Sequence, residues 1–399
     1  MNMKLTLEEH DMLNGNYGKA IKKSMEILTT LGEIFDAEDM VDVSGVQIAG
    51  VSYANLGEAG LEFLNEMAED GKVKVLTTLN PAGMDRENWQ KLGIDAEFAK
   101  NQNRILDAFA KMGIITTCSC TPYLIGNTPH YGQHLAWAES SAVCYANSVI
   151  GARTNREGGP SALASALTGK TPRYGYHLEK NRQGQVLVKV NTPIKGTDEF
   201  GVLGKIIGDK LVKLGKKIPY ITDIPSANVE ELKSFCASIA TYGGTALFHM
   251  EEITPEFNRY LKPSKIILEI NQSDLNKTRS ELIDNHLEID FVSIGCPHAS
   301  IYEIATLAKL LKGKKVKKEF WITTARPTKK VADEAGYSKL IEDAGAKFAA
   351  DTCCVVAPIK GRFKAIMVDS AKACYYGRSK NKFKVKIGTI EECVEEALK

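Results

Sequence analysis

The sequence lacks the features that mark a membrane, exported or nucleic-acid-binding protein. No apolar run approaches the roughly 18–20 residues that a helix needs to cross a bilayer, and the N-terminus has no signal-peptide core. The 51 basic and 49 acidic residues leave a net charge of +2, which gives no electrostatic reason to expect an anionic partner. We therefore expect a cytoplasmic protein that binds neither nucleic acid nor membranes.

Nucleotide-binding and disulfide signatures are missing as well. There is no Walker motif and no G-x-G-x-x-G after a first strand, so nucleotide binding is disfavoured. The nine cysteines are odd in number, include no C-x-x-C pair, and stand in a chain without export signals, which argues against a disulfide framework. Reduced thiols, a metal site or a catalytic thiol remain possible.

What is present is the composition of a folded α/β protein. Of the 399 residues, 44% are hydrophobic and 25% charged, which predicts two domains or one large elaborated domain. The second half of the chain alternates short apolar runs with helical patterns, and this alternation predicts parallel sheets in three-layer α/β/α architecture. The predicted strands of this half are 266–270, 291–294, 320–324, 347–352 and 365–368.

The first half gives three local predictions that the structure can test. Leu5 to Leu31 has a helical pattern that begins with a capping box of Thr6 and Glu9. The β-branched run 114–117 predicts a buried strand. The small-residue stretch 135–149 predicts a helix that carries Glu139 in its interior.

Three cysteines follow the ends of predicted strands, namely Cys120, Cys296 and Cys353. Because ligands bind beyond the carboxyl ends of the strands in open parallel sheets, these thiols can meet at one cleft. Three thiolates suit an iron–sulfur cluster, and a [4Fe–4S] cluster with three protein ligands leaves one iron open as a Lewis acid. The alternative is that each cysteine is a small buried hydrophobe, which is the commoner role of an isolated cysteine.

Neighbouring cysteines leave further alternatives open. Cys118 stands two positions before Cys120 and would face the same cleft if both lay on a strand. The adjacent Cys353 and Cys354 should face opposite ways, so one of them is the expected ligand. The sequence Cys296-Pro297-His298 could also provide a thiol nucleophile beside an imidazole, although Gly-Cys-Pro equally fits a simple turn. The other cysteines fall on helical patterns or beside apolar strands and are expected to be packing residues.

Polar side chains crowd the stretch between residues 113 and 161. His130 and His134 could bind an anion or carry protons, as could the later His177, although a lone histidine is more often structural. Arg153 and Arg156 could clamp a carboxylate or a phosphate, or could lie on a solvated helix terminus. A Glu buried in a helix interior would need a partner. The run from Gly158 to Ser161 resembles a helix start, a natural site for an anion.

Several motifs together resemble the aconitase X family. The matching segments run from the centre of the chain to near its C-terminus, and they are Cys120-Thr-Pro-Tyr, Ala136-Trp-Ala-Glu-Ser-Ser-Ala, Gly151-Ala-Arg-Thr-Asn-Arg-Glu-Gly-Gly-Pro-Ser, Gly295-Cys-Pro-His-Ala-Ser and Asp351-Thr-Cys. The long central string is highly specific. The regions around Ser44-Gly45 and Thr77–Asn80 also fit, so the resemblance extends over essentially the whole chain.

The resemblance implies an iron–sulfur hydro-lyase with aconitase-like α/β domains. The family's cluster ligands correspond to Cys120, Cys296 and Cys353, most simply on a [4Fe–4S] cluster. We assign as candidate catalytic residues His130, Glu139 and Ser140. Candidate substrate-binding residues are Ser44, Gly45, Asn80, Arg153, Thr154, Asn155, Arg156, His177 and Arg326.

The resemblance also implies a partner and a substrate. Residues 1–399 correspond to a large catalytic subunit of several packed α/β subdomains, and a separate small swivel-domain subunit, with the superfamily's serine base, would complete a heterodimer. The large subunit would then be inactive alone. The implied reaction is dehydration of (R)-5-phosphomevalonate to trans-anhydromevalonate 5-phosphate in a modified mevalonate pathway to isoprenoids. The alternatives are dehydration of cis-3-hydroxy-L-proline, a non-catalytic iron–sulfur or RNA-binding role, and a transferase that uses Cys296.

Overall fold

Parallel strands joined through helices make up most of the chain, which confirms the predicted α/β class. The computed structural model describes residues 3–285 and 288–399. Within these ranges, no helix is both long and apolar enough to cross a membrane. The strands form separate sheets in three successive parts of the chain, and each sheet is covered by helices that bury its apolar side chains.

The first part contains a parallel sheet in the order β3-β2-β4 and a short antiparallel pair, β1 with β5. Its central strand β2 is buried along its whole length, which is typical of a parallel strand covered on both faces. The elements are α1 (Leu7–Asn14), α2 (Lys19–Ile34), β1 (Met40–Asp42), β2 (Gly45–Ile48), α3 (Tyr53–Met67), β3 (Leu76–Leu79), α4 (Ala96–Lys111), β4 (Ala136–Trp137), α5 (Ser140–Tyr145), α6 (Gly159–Thr168) and β5 (Lys170–Pro172).

Three predictions for this part need correction. The predicted helix 5–31 is two helices, because Gly15 ends α1 in a left-handed conformation, although the Thr6–Glu9 capping box is present. The run 114–117 is not a strand. It is joined to β3 by a single parallel bridge, between Thr78 and Ile115. The stretch 135–149 begins as strand β4, so that Glu139 caps α5 instead of lying inside a helix.

The second part is a parallel sheet in the order β8-β7-β6-β9 with two long helices packed side by side. Its elements are β6 (Val186–Val190), α7 (Gly196–Leu214), β7 (Pro219–Thr222), α8 (Val229–Gly243), β8 (His249–Met250), β9 (Ile267–Ile270) and α9 (Gln272–Glu281). The helices α7 and α8 approach closely because glycines face each other, and a Cβ on Gly208 would lie 2.7 Å from the amide nitrogen of Gly243. The sequence pattern predicts a helix within 272–287 that includes α9, and the end of this pattern at Leu287 lies outside the described residues.

The third part is a parallel sheet in the order β12-β11-β10-β13-β14. Its elements are β10 (Phe291–Ile294), α10 (Ile301–Leu311), β11 (Glu319–Thr324), α11 (Arg326–Glu334), α12 (Tyr337–Asp343), β12 (Lys347–Ala350), β13 (Ala365–Val368), α13 (Ala371–Tyr376), β14 (Lys384–Ile387) and α14 (Ile390–Leu398). The predicted strands 291–294 and 365–368 are confirmed to the residue.

Candidate active site

The three predicted cysteines lie in loops at the carboxyl ends of strands from different parts of the chain. Cys296 follows β10 and Cys353 follows β12. Cys120 ends a segment that runs beside β3, where the backbone amide of Ser119 donates to the carbonyl of Leu79 over 2.8 Å. All three are free cysteines; Cys120 and Cys353 are buried and Cys296 is partly exposed.

The three thiols are close enough to influence one another's protonation. Burial raises the pKa of Cys120 to about 12, and the nearby Glu139 and Cys353 contribute to the rise. Burial also raises the pKa of Cys296 well above its ordinary value, with further contributions from Cys353 and Cys120. A cation on Lys372 opposes the rise at all three thiols. The ends of strands from different parts of the chain therefore bring the three cysteine loops together.

His298 joins the three cysteine loops. Its backbone amide donates to Cys120 Sγ over 3.2 Å, and its ring contacts Ser119 Oγ at 3.2 Å and the carbonyl of Thr352 at 3.0 Å. Burial lowers the pKa of this imidazole to about 4. Because both ring nitrogens have partners other than Cys296, the structure gives no support to a Cys296–His298 nucleophile pair.

Gly295 allows the Cys296 loop to turn tightly against the neighbouring strand. Its φ of +105° lies in the region that favours glycine, and an added Cβ would lie 2.1 Å from the carbonyl oxygen of Thr323. Any side chain at this position would displace the loop that carries Cys296. The sequence Gly-Cys-Pro is therefore both a turn and the support of a site residue.

A buried ion pair lies beside the thiols. Lys372 Nζ is 2.6 Å from Glu139 Oε1, and Asn80 Nδ2 donates to Glu139 Oε2 over 2.8 Å. Burial raises the pKa of Glu139, but Lys372 and Asn80 outweigh that effect and hold it at about 2. The hydroxyls of Ser140 and Ser141 also donate to Glu139 Oε1. The carboxylate is therefore ionised and held from several sides.

Asn80 has one polar atom to spare. Its Oδ1 is buried and has no hydrogen-bond partner among the described residues. Asn80 follows the end of β3 and Glu139 follows β4, so both lie at the carboxyl end of the parallel sheet. The oxygen is available to accept a hydrogen bond from a bound hydroxyl.

Lys372 was not among the predicted site residues. Its one signal in the sequence is its position three residues into the segment Asp369-Ser370-Ala371-Lys372 that follows strand β13. A lysine at that place reads as an ordinary helix residue unless its carboxylate partner is known. That partner lies 233 positions away in the chain.

Several predicted substrate-binding residues lie at the opposite, amino end of the first sheet. Ser44 precedes β2, and its amide donates to the carbonyl of His134, which precedes β4. Gly45 begins β2. Arg153 is 8% exposed and forms ion pairs with Glu179 at 2.7 Å and Glu256 at 3.3 Å. The structure therefore does not bring these residues to the thiols.

The remaining members of the predicted set have partners of their own or face solvent. Thr154 accepts from the amide of Trp137 at 3.0 Å, and Asn155 bonds to the backbone of Tyr174 and Tyr176. Arg156 and His130 are exposed. Among the described residues, no hydrogen bond or ion pair joins either of them to Glu139 or to the thiols.

Arg326 holds two parts of the chain together. It follows β11 and contacts Asp351 and Asp85, each at 2.6 Å, and Glu87 at 2.9 Å.

Cys118 is fully buried, has a φ of +47°, and packs in the core of the first sheet. Its strand-based placement beside Cys120 fails, because residues 116–119 form no strand.

The stability of the protein should depend on pH because His177 is buried without a proton. It is 4% exposed and its Nδ1 lies 2.9 Å from His134 Nδ1, and burial lowers its pKa to about 3. The unfolded chain, with a pKa near 6.5, binds the proton more readily, so stability is present above that pH and is lost as the pH falls. We expect His177 alone to reduce the free energy of unfolding by about 2 kcal/mol between pH 7 and pH 5.

Urea unfolding at several pH values measures this effect. In His177→Gln the unfolding free energy should vary less steeply between pH 7 and pH 5 than in the wild type. His130→Gln is the matched control, since His130 is exposed, and it should keep the wild-type slope. Equal slopes for His177→Gln and the wild type would contradict the assignment.

Fold and site together define an α/β protein in which parallel strand ends collect three thiols around a buried ion pair. This is a site of the kind that holds an iron–sulfur centre. Comparison with known families makes the assignment specific. The chain belongs to the aconitase X family: residues 2–180, 184–280 and 289–399 match the models of the Aconitase X first, second and third domains.

The similar proteins include archaeal and fungal enzymes. The chain is 45% identical to the phosphomevalonate dehydratase large subunit of Methanocaldococcus jannaschii, with 98% of this chain and 100% of that one covered. It is 30% identical to the cis-3-hydroxy-L-proline dehydratase of Hypocrea jecorina, with 100% of this chain but 69% of that protein covered. The crystal structure of Thermococcus kodakaraensis aconitase X in its holo-form superposes with a TM-score of 0.92 at 43% identity, covering 99% and 100% of the two chains.

Membership of an aconitase-type family implies an iron–sulfur cluster, and the donor set can be tested against it. Among the described residues, no three His, Cys, Asp or Glu side chains are grouped tightly enough for a single metal ion. The three cysteine loops nevertheless meet at His298, whose amide donates to Cys120 Sγ and whose ring contacts the carbonyl of Thr352, the residue before Cys353. Thiolates carried on three loops that meet in this way fit a cluster, whose irons take one ligand each, better than a single ion.

Proposed function

We propose that this chain is the large subunit of a hydro-lyase that converts (R)-5-phosphomevalonate to trans-anhydromevalonate 5-phosphate, a step of a modified mevalonate pathway to isoprenoids. The observation that carries this proposal is the end-to-end match, at 43–45% identity, to proteins named phosphomevalonate dehydratase large subunit. The buried thiol set beside an ionised Glu139 supports it, because dehydration needs an electrophile for the departing hydroxyl and fixed charges around it.

The proposed cofactor is a [4Fe–4S] cluster held by Cys120, Cys296 and Cys353. Such a cluster, when bound, supplies a Lewis acid that assists the departure of hydroxide from the carbon β to the carboxylate. The amide of His298 donates to Cys120 Sγ, and the cation of Lys372 stands beside the thiols. Both lower the cost of placing negative sulfur in a buried site.

The chain's own residues bind and orient the substrate. In our proposal the unpartnered Oδ1 of Asn80 accepts a hydrogen bond from the substrate hydroxyl. Glu139 fixes Asn80 through its Nδ2, and Ser140 and Ser141 fix Glu139 in turn. Among the predicted residues, the proposed substrate contacts are therefore Asn80, Glu139 and Ser140. The residues at the amino end of the sheet are assigned to the support of the fold.

The base for the reaction is proposed to come from a partner. Dehydration removes one proton from the carbon next to the carboxylate while the hydroxyl leaves the following carbon, so a base must face the first carbon. With a pKa held at about 2, Glu139 is a weak base. The relatives at 43–45% identity are named large subunits, and we propose a small swivel-domain subunit that supplies the base in a heterodimer.

Assay of the reconstituted heterodimer tests the proposal. The chain should be purified anaerobically both alone and together with the small subunit encoded by the same organism, and offered (R)-5-phosphomevalonate. We expect formation of the unsaturated product by the complex only, because neither subunit carries the whole set of groups. The absence of product from an iron-loaded complex would overturn the proposal.

Dehydration of cis-3-hydroxy-L-proline is the second candidate. The observation that favours it is the match of 100% and 97% of the chain to two enzymes of that name at 30% identity. In those enzymes this chain corresponds to 69% and 68% of the protein, so about a third of their length lies outside the match. Turnover of hydroxyproline without turnover of phosphomevalonate would establish this candidate instead.

A further inference from the structure

Lys372 is a cation in a buried place next to three thiols. Its side chain is 9% exposed, and its ammonium pairs with Glu139 at 2.6 Å. It lies at the start of α13, directly after strand β13, which is hydrogen-bonded to the strand that leads to Cys296. Burying a lysine is costly unless an anion compensates it. Glu139 compensates this charge one to one in the chain itself, and thiolate ligands would add negative charge beside the pair.

The pairing of neighbouring strands brings Lys372 to the Cys296 loop. Val368 of β13 lies opposite Ser293 of β10, and Lys372 and Cys296 stand four and three positions beyond these paired residues. Another lysine of this part, Lys380, lies in the turn after α13 and donates to the backbone carbonyl of Val355 at 2.7 Å. Lys372 therefore stands beside the Cys296 loop at the same end of the sheet, with its ammonium held by Glu139.

We propose that Lys372 is a positioning residue for the cofactor: its ammonium, oriented by Glu139, offsets the negative charge of the Cys120, Cys296 and Cys353 ligands and so sets the reduction potential and the iron retention of the cluster. This inference rests on the proposed cluster and adds a residue to it. Glu139 acts on the same potential with opposite sign, because its carboxylate is negatively charged. The reduction potentials of such clusters follow local net charge.

Redox titration of the anaerobic heterodimer, followed by electron paramagnetic resonance, tests the proposal. Lys372→Met removes a positive charge and should shift the cluster midpoint to a more negative potential. Glu139→Gln removes a negative charge and should shift it to a more positive one. The double variant removes the pair without changing net charge and should lie between the two single variants, near the wild type. Loss of iron to a chelator should be about tenfold faster in Lys372→Met.

The signs separate an electrostatic role from a structural one. Lys318→Met is the control, because Lys318 pairs with Glu396 at the far end of β11 and should leave the potential unchanged. Glu139→Gln carries the test by itself if Lys372→Met does not fold, as judged by circular dichroism. Unchanged potentials, or shifts of the same sign in both variants, in a wild-type complex that holds a cluster would overturn this inference alone. A wild-type complex without a cluster would overturn the proposed function as well.

Discussion

Replacing Cys296 with Ser in the heterodimer should remove the cluster and the activity together. The hydroxyl of Ser is a poorer ligand for iron than a thiolate. We expect bound iron to fall to the level of a no-protein control and kcat/KM to fall on the order of 10³-fold, the scale of several kcal/mol of lost Lewis-acid assistance. Cys120→Ser and Cys353→Ser should behave alike in iron analysis and in the dehydration assay.

The adjacent Cys354 gives a matched control. Burial raises its pKa to about 12, its side chain is directed to Ser293, and its carbonyl accepts from Asn381. Cys354→Ser should therefore keep its iron, although it loses some stability. Full iron content in all three ligand variants, or its loss in Cys354→Ser alone, would contradict the assignment of the ligands.

Arg182→Met should destabilise the protein more than any surface substitution. Arg182 is fully buried; it contacts Glu256 at 2.7 Å and donates to the side chain and carbonyl of Asn147. Removing it leaves Glu256, itself 1% exposed, with Arg153 as its remaining cation at 3.3 Å. Breaking a buried pair in this way costs about 3–5 kcal/mol, which urea unfolding would show as a lower midpoint.

Arg259 provides the comparison. It pairs with Glu179 at the surface, where both side chains are nearly half exposed, and such pairs contribute ~0–1 kcal/mol. Arg259→Met should therefore change the midpoint little. Equal losses in the two variants, or a loss below about 1 kcal/mol for Arg182→Met, would show that the buried network does not carry the stability assigned to it.

Strong local signals predicted many elements well. Strands β10 and β13 lie where the sequence placed them, because apolar runs bounded by turn residues leave few alternatives. Strand β6 was not predicted. Valine at every second position of Val186–Val190 is a period-two sequence pattern that matches the alternating burial of this strand.

Two errors have a tertiary cause. The β-branched run 114–117 has strand propensity, but its backbone turns away at Cys118, which adopts a φ of +47°. Residues 135–137 have apolar side chains that also suit a helix, yet they extend because β2 offers a free edge for parallel pairing. Neither the turn nor the edge is visible in a local stretch of sequence.

The site divides in the same way. The rule that ligands bind beyond parallel strand ends gathered Cys120, Cys296 and Cys353, which are far apart in the chain. Chemistry-based guesses about histidines and arginines did not distinguish the two ends of the sheet, and Arg153 and His177 lie at the amino end. Lys372 could not be recognised as a site residue from its own stretch of sequence, because its contact with Glu139 joins distant parts of the chain.

The most direct test of the account is anomalous diffraction at the iron edge from crystals of the anaerobic heterodimer. The account predicts one compact iron peak in contact with the Sγ atoms of Cys120, Cys296 and Cys353, with Lys372 beside it. Iron bound elsewhere, or a peak that touches fewer than all three sulfurs, would contradict the claim that these thiols hold one cofactor.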